Sequence, residues 1–156
     1  MLDNQGNQTA TLVASGSNRK YVTINEIPIN LQHAFVAIED ERFYDHNGID
    51  LQGILRAGLK GVASGFHFSE GASTITQQLL KNTVFTQWTS EQSMADKFER
   101  KFQEQYLALQ LEKVVDKDWI LENYLNAINL GQNTLGVGVA SERYFGKDVS
   151  DLTLSE

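Results

Sequence analysis

Ala37-Ile38-Glu39-Asp40-Glu41-Arg42-Phe43-Tyr44-Asp45-His46-Asn47-Gly48 sets four acids, an arginine and a histidine among the apolar residues Ile38 and Phe43. Read as a helix, Phe35, Glu39 and Phe43 fall at i, i+4 and i+8 and share one face. Glu39 then sits on an otherwise apolar stripe. Burial raises a carboxylate's pKa and strengthens it as a base, so Glu39 is a candidate base. A second reading stays open on this segment alone: a solvated acidic helix end, with Glu41 and Arg42 pairing on the surface.

Outward from this stretch the period is helical. From Asn30, the residues Leu31, Ala34, Phe35 and Ile38 form one apolar face, and Gly48 suits a helix stop. Asp50 caps a second helix with Leu51, Ile54, Leu55, Leu59 and Val62 inward. Residues 64–72 read as a loop. Thr74-Ile75-Thr76-Gln77 is a capping-box pattern that opens a third helix. A long helix over roughly 92–115 carries Phe98, Phe102, Tyr106 and Leu109 on one stripe. Another, over 117–129, is capped by Asp116 and stopped by Gly131. A short helix through Tyr144 ends at Gly146. Ahead of Asn30, turn signals at 4–7 and 15–18 separate Thr9-Ala10-Thr11-Leu12-Val13 from Tyr21-Val22-Thr23-Ile24, which predicts a small β-hairpin. Thr153-Leu154-Ser155-Glu156 is a further capping box in the last positions. It implies that the natural sequence continues.

The 156 residues suffice for one domain with its own core, and 41% of them are hydrophobic. There is no cysteine, which excludes disulfides and thiolate metal sites. A formal charge of −7 argues against broad nucleic-acid binding. The longest apolar run, near 34–38, is far short of a bilayer span, and no signal peptide opens at Met1. His33, His46 and His67 lack metal-ligand spacing. No Ser-His-Asp elbow or phosphate-loop motif is present.

Three further clusters carry polar chemistry. On the third helix Thr74, Gln78 and Lys81 align at i, i+4 and i+7, with Gln77 beside them and Ile75, Leu79 and Leu80 opposite. Free N–H groups and hydroxyls at a helix start, with a lysine farther along, suit a sugar or phosphate ligand. An amphipathic helix with a polar outside is the other reading. Arg100 and Lys101 lie four and three residues before Glu104, so the three can converge. They read either as an ordinary surface ion pair or as a carboxylate held among cations that meet a negative leaving group. In Ile120-Leu121-Glu122-Asn123-Tyr124-Leu125-Asn126, the residues Glu122, Asn126 and Asn129 line a polar face, while Tyr124, Leu125 and Ile128 point inward. This block is mainly structural, with Glu122 a weaker candidate.

Taken in order, the blocks at 39–48, 71–82, Arg100-Lys101 with Glu104, and 120–126 resemble the peptidoglycan glycosyltransferase domain of class A penicillin-binding proteins (glycosyltransferase family 51). A weaker block, Gly136 to Lys147 with Tyr144-Phe145-Gly146-Lys147, follows. The resemblance covers roughly residues 20–156. It implies a mainly α, lysozyme-like fold with the small N-terminal β-hairpin over 1–25. Residues 26–156 would be the glycosyltransferase domain, truncated at its C-terminal end. The stretch 83–97 carries no pattern of the family.

The resemblance also implies a chemistry. The family polymerises lipid II into β-1,4-linked glycan on the outer face of the bacterial cytoplasmic membrane and releases polyprenyl pyrophosphate with inversion. By match, Glu39 is the base and Glu104 the second essential carboxylate, while Lys81, Arg100 and Lys101 meet the pyrophosphate. Asp40, Phe43, His46, Ser73, Thr74, Gln77, Gln78 and Asn82 match positions that line or support the cleft. The expected partners are lipid II, the growing strand and the membrane surface, with room for a C-terminal transpeptidase domain in the parent protein and no nucleic acid. The chain itself reads as a soluble piece of that parent. No cofactor is required, and a divalent cation at the pyrophosphate is not indicated. Two other activities remain as alternatives: a lysozyme-like lytic muramidase and a non-catalytic lipid II-binding module.

Overall fold

Helix α3 (Ile75–Thr83) is deeply placed in the computed structural model, with five of its nine residues buried. The residues described are 19–63, 72–84, 94–132 and 134–156. Among them the fold is mainly α. The other helices are α1 (Ile29–Glu39), α2 (Leu51–Ala63), α4 (Met94–Leu111), α5 (Lys117–Ala127) and α6 (Val137–Phe145), with 3-10 turns at Ile24–Glu26 and Val149–Asp151. Helix α3 packs against both α4 and α5. The core gathers Phe43, Ile75, Ile120, Leu121, Tyr124 and Leu125, all fully buried. Burying each such side chain contributes roughly 1.5–3 kcal/mol.

Of the expected hairpin, Thr9 to Val13 and both turn signals lie outside the described residues. Tyr21 to Ile24 is described and forms no strand. Instead Val22 N–H donates to Asn126 Oδ1 (2.9 Å), and Val22 C=O accepts from Asn126 Nδ2 (2.8 Å). One amide side chain satisfies both backbone groups that a neighbouring strand would have taken. Glu122 works alongside it, accepting from Ile24 N–H at 2.6 Å and from the Tyr21 hydroxyl. That bond, with partial burial and the Glu122 charge, pushes the Tyr21 phenol up to about 12. Glu122 therefore anchors the 3-10 turn.

Helix α1 ends at Glu39, well short of Gly48. Asp40 leaves the helical region at φ −161° and ψ 72°. Its carboxylate is engaged elsewhere, by the first N–H of α3 (Ile75, 2.9 Å). Residues 41–48 are turns and bends. The buried residues of α1 are Gln32 and Val36, whereas Ile38 is 81% exposed. Gln32 turns inward because its amide donates to Ile24 C=O (3.0 Å) and Ile27 C=O (2.8 Å).

One helix reverses the expected polarity. Asp50 caps α2 through Gly53 N–H (2.9 Å) as its position predicts. Yet Leu51, Ile54, Leu55 and Leu59 face outward. On α4, Phe98, Phe102, Tyr106 and Leu109 are likewise exposed, while Glu104 and Ala108 are fully buried. Periodicity identifies an apolar stripe but not what covers it. Among the described residues, no helix is long and apolar enough to cross a membrane.

The C-terminal half follows the expected order. The Asp116 carboxylate accepts from Trp119 N–H (2.8 Å) and caps α5, which ends at Ala127. An isolated antiparallel bridge, Asn129 to Leu135, closes the following loop. Helix α6 ends on Gly146 at φ 70°, the left-handed conformation in which glycine terminates helices. Thr153 N–H donates to Glu156 Oε2 (2.8 Å), one half of a capping box.

Candidate functional site

Glu39 is the last residue of α1, and its carboxylate stands at the surface instead of on a buried stripe. Glu39 Oε2 accepts from Gln78 Nε2 at 3.0 Å. The carboxylate lines a concave pocket of about 90 Å³ with Asp40, Arg42, Asp50, Ser73 and Thr74. An exposed carboxylate held by a single amide is open to an incoming hydroxyl.

Behind it the loop 40–48 is docked onto the start of α3. Asp40 accepts from Ile75 N–H and pairs with His46 Nε2 at 2.9 Å. His46 Nδ1 accepts from Gly48 N–H (3.2 Å), which assigns the ring proton to Nε2 and makes His46 the donor to Asp40. Gly48 C=O accepts from Thr74 Oγ1 (2.8 Å) and Gln77 Nε2 (3.2 Å). Thr74 Oγ1 also accepts from Gln77 N–H, so it caps α3 while holding the loop. The Gln77 side chain reaches Gly48 and does not close the capping box. Gly48 has φ +91°, and a Cβ there would lie 2.7 Å from the Ala108 carbonyl carbon, so glycine alone fits between loop and α4. Phe43 fills the space beneath, with Lys117 Nζ 4.4 Å from its ring centre. Asp40, Phe43, Thr74 and Gln77 are thus buried parts of the support under Glu39, and His46 joins them.

A second carboxylate lies on the buried face of α4. Glu104 Oε2 is 2.7 Å from Lys101 Nζ, and its other oxygen pairs with Arg100. Two cations around one buried acid leave a net positive charge. Removing a partner from such a buried pair is costly, typically about 3–5 kcal/mol. Lys101 Nζ also donates to Ser73 Oγ at 2.9 Å. Gln78 Nε2 is 3.5 Å from the Ser73 carbonyl oxygen. A continuous polar path therefore runs from Glu39 through Gln78, Ser73 and Lys101 to Glu104. Lys81 is exposed on α3 and has no partner among the described residues, and Asn82 is half-buried beside it. No group of three or more His, Asp or Glu among the described residues converges as a metal site.

Sequence reasoning missed two members of this network. Arg42, read as a surface partner of Glu41, also grips Asp50 through Nε (3.2 Å) and Nη2 (2.6 Å). Arg42 holds the Asp50 carboxyl below its ordinary value despite burial, and Asp50 raises Arg42 in return. Tyr124, read as core, sends its hydroxyl to Gln78 Oε1 at 3.3 Å. Its burial was legible, and a buried tyrosine needs a partner for its hydroxyl. The identity of that partner was not.

A family model described as transglycosylase matches residues 5–156. Penicillin-binding protein 1A of Clostridium perfringens (strain 13 / Type A) is 48% identical over 159 residues, covering 100% of this chain and 22% of that protein. Penicillin-binding protein 1A of Clostridium novyi (strain NT) is 47% identical over 155 residues, covering 97% and 18%. Penicillin-binding protein 1F of Bacillus subtilis (strain 168) is 43% identical over 157 residues, covering 100% and 20%. The chain spans about a fifth of the length of these relatives.

Proposed function

Because the chain belongs to the transglycosylase family, we propose that it is the glycan-polymerising domain of a penicillin-binding protein, acting on lipid II. In this reading the 4-hydroxyl of lipid II's GlcNAc attacks the anomeric carbon of the growing strand. Glu39 takes the hydroxyl proton as the new C–O bond forms. The bond from the anomeric carbon to pyrophosphate breaks with inversion, and polyprenyl pyrophosphate leaves. Arg100 and Lys101, arrayed on Glu104, and the exposed Lys81 meet the charge that develops on the leaving group. Ser73, Gln78 and Asn82 contribute polar contacts along α3. Asp40, Phe43, His46, Thr74 and Gln77 hold the loop behind the base. No cofactor is called for, since cations already present replace a strong acid.

The observation that carries this reading is the polar path that joins an exposed carboxylate, Glu39, to a buried acid wrapped by two cations. That cationic cluster favours transfer from a pyrophosphate over hydrolysis of finished glycan, which has no such leaving group. The same reading carries a lysozyme-like arrangement of the helices and residence on the outer face of the bacterial cytoplasmic membrane. It leaves the rest of a longer protein to supply further domains. The deciding experiment is lipid II polymerisation with the native enzyme and with Glu39→Gln. Undiminished polymer from the substituted enzyme would overturn the base assignment.

A further inference from the structure

A base on the surface needs something to hold it, and among the described residues the Glu39 carboxylate is held by the amide of Gln78 at 3.0 Å. That amide has two ends. A carboxylate only accepts, so the NH2 end must face Glu39 and the oxygen end must face away. The oxygen end meets the Tyr124 hydroxyl at 3.3 Å, and a hydroxyl can donate to it. Tyr124 is fully buried, and its ring meets Phe35 edge-on at 6.2 Å and 80°, which fixes where the hydroxyl points. Gln78 itself is half-buried on α3, five of whose nine residues are buried.

We propose that Tyr124 is a positioning residue for the Glu39 carboxylate, acting through the side chain of Gln78. The inference rests on the reading of Glu39 as the base. It assigns to α5 a part in catalysis. Reversing the amide would set oxygen against the Glu39 carboxylate, so Glu39 fixes the sense of the amide, and the tyrosine hydroxyl, donating to the oxygen end, holds that end in place. Burial, with the Glu39 charge adding to it, raises the Tyr124 pKa and keeps the phenol protonated as a donor. Small displacements of a catalytic group have large effects on rate, because productive geometry is narrow.

Tyr124→Phe keeps the ring and removes the donor. The expected result is a loss of about tenfold in kcat with KM unchanged, the scale of one hydrogen bond acting on transition-state geometry. The thermal midpoint should stay within a few degrees of the native value. Gln78→Met should lower kcat at least as far, and adding Tyr124→Phe to it should produce no further loss. Native kcat in Tyr124→Phe, or losses that multiply in the double variant, would overturn the relay. Two spectroscopic arms need no turnover. The Gln78 side-chain amide resonances should move in Tyr124→Phe, and the Tyr124 Cζ resonance should move in Gln78→Met. If Tyr124→Phe does not fold, the second arm decides, and an unmoved Tyr124 resonance refutes the contact. Glu39→Gln separates the two claims: full polymerisation there refutes the base, whereas unmoved resonances refute the relay.

Discussion

Lys101 Nζ lies 2.9 Å from Ser73 Oγ and so joins the middle of α4 to the residue just ahead of the α3 cap. The same ammonium is 2.7 Å from Glu104 Oε2. One cation is thereby shared between a buried acid and a hydroxyl at the candidate site. Ser73→Ala leaves the ion pair intact and frees the ammonium on one side. Polymerisation kcat/KM should fall about fivefold, the equivalent of one hydrogen bond, while stability changes by less than about 0.5 kcal/mol. Paired urea titrations and lipid II kinetics check both halves, and a native kcat/KM would remove Ser73 from the site.

The two cations beside Glu104 differ in burial. The Arg100 side chain is 16% exposed and that of Lys101 40%. Arg100→Ala strips a partner from a fully buried carboxylate and should destabilise by about 3 kcal/mol. Lys101→Ala should cost about 1 kcal/mol, because solvent already screens that pair. Chemical denaturation gives the order, and equal costs would contradict the burial argument.

Glu39 and Asp40 are adjacent acids with opposite expected phenotypes. Glu39→Gln alters a surface group and should leave stability native while lowering turnover by roughly 10²–10⁴-fold. Asp40→Asn weakens the acceptor for Ile75 N–H and His46 and should destabilise by about 1–3 kcal/mol. Comparing melting curves with polymerisation rates distinguishes them. A Glu39→Gln protein that melts early would place the residue in the scaffold instead.

Two glycines should respond in opposite directions to alanine. Gly48→Ala forces φ +91° on a residue with a β-carbon and drives that carbon against the Ala108 carbonyl, so a loss of about 2 kcal/mol or more is expected. Gly58 lies inside α2, and a β-carbon added there would meet nothing within 4 Å. Gly58→Ala should stabilise by about 0.8 kcal/mol through helix propensity alone. Urea midpoints for the two variants read this directly.

The alkaline limb of stability should carry a signature from Tyr21. Its phenol ionises at about 12 in the fold against an ordinary value of 10.0. A raised folded-state pKa means the folded form binds the proton more tightly than the unfolded form. The contribution is complete below pH 10 and is lost as pH rises through about 12. Tyr21→Phe should therefore show a shallower fall in stability across that window, followed by denaturant midpoints at stepped pH. Parallel curves would mean that the bond to Glu122 does not persist in solution.

The order of the helices was legible because caps are local. Asp50, Thr74, Asp116 and Gly146 act within one turn of themselves, and each marks the boundary it predicts. The end of α1 was not legible, because Asp40 spends its carboxylate on Ile75, 35 residues away. Asn126 replaces a strand for the same reason, with its partner 104 residues distant. Within the candidate site, Arg100, Lys101 and Glu104 were found from spacing, since a helix brings i, i+3 and i+4 together. The links between helices, from Gln78 to Glu39 and to Tyr124, depend on tertiary packing that no local pattern encodes. The aromatic stripe on α4 showed its period in the sequence, but not that it is Glu104 and Ala108 on another face that are buried.

The break between Glu39 and Asp40 has a further consequence for how the chain tolerates change. Consecutive helical residues are rotated by about 100° about the axis. If α1 ran on by a single residue, that phase angle would carry Asp40 away from α3 and strand the first amide of that helix. A one-residue insertion between Val36 and Glu39 would put Glu39 in the place of Asp40 and Asp40 in that of the exposed Glu41, turning the solvent-facing carboxylate inward and the capping one out. Substitutions along α1 change what a position is made of; a slip in its length changes which acid looks at the solvent.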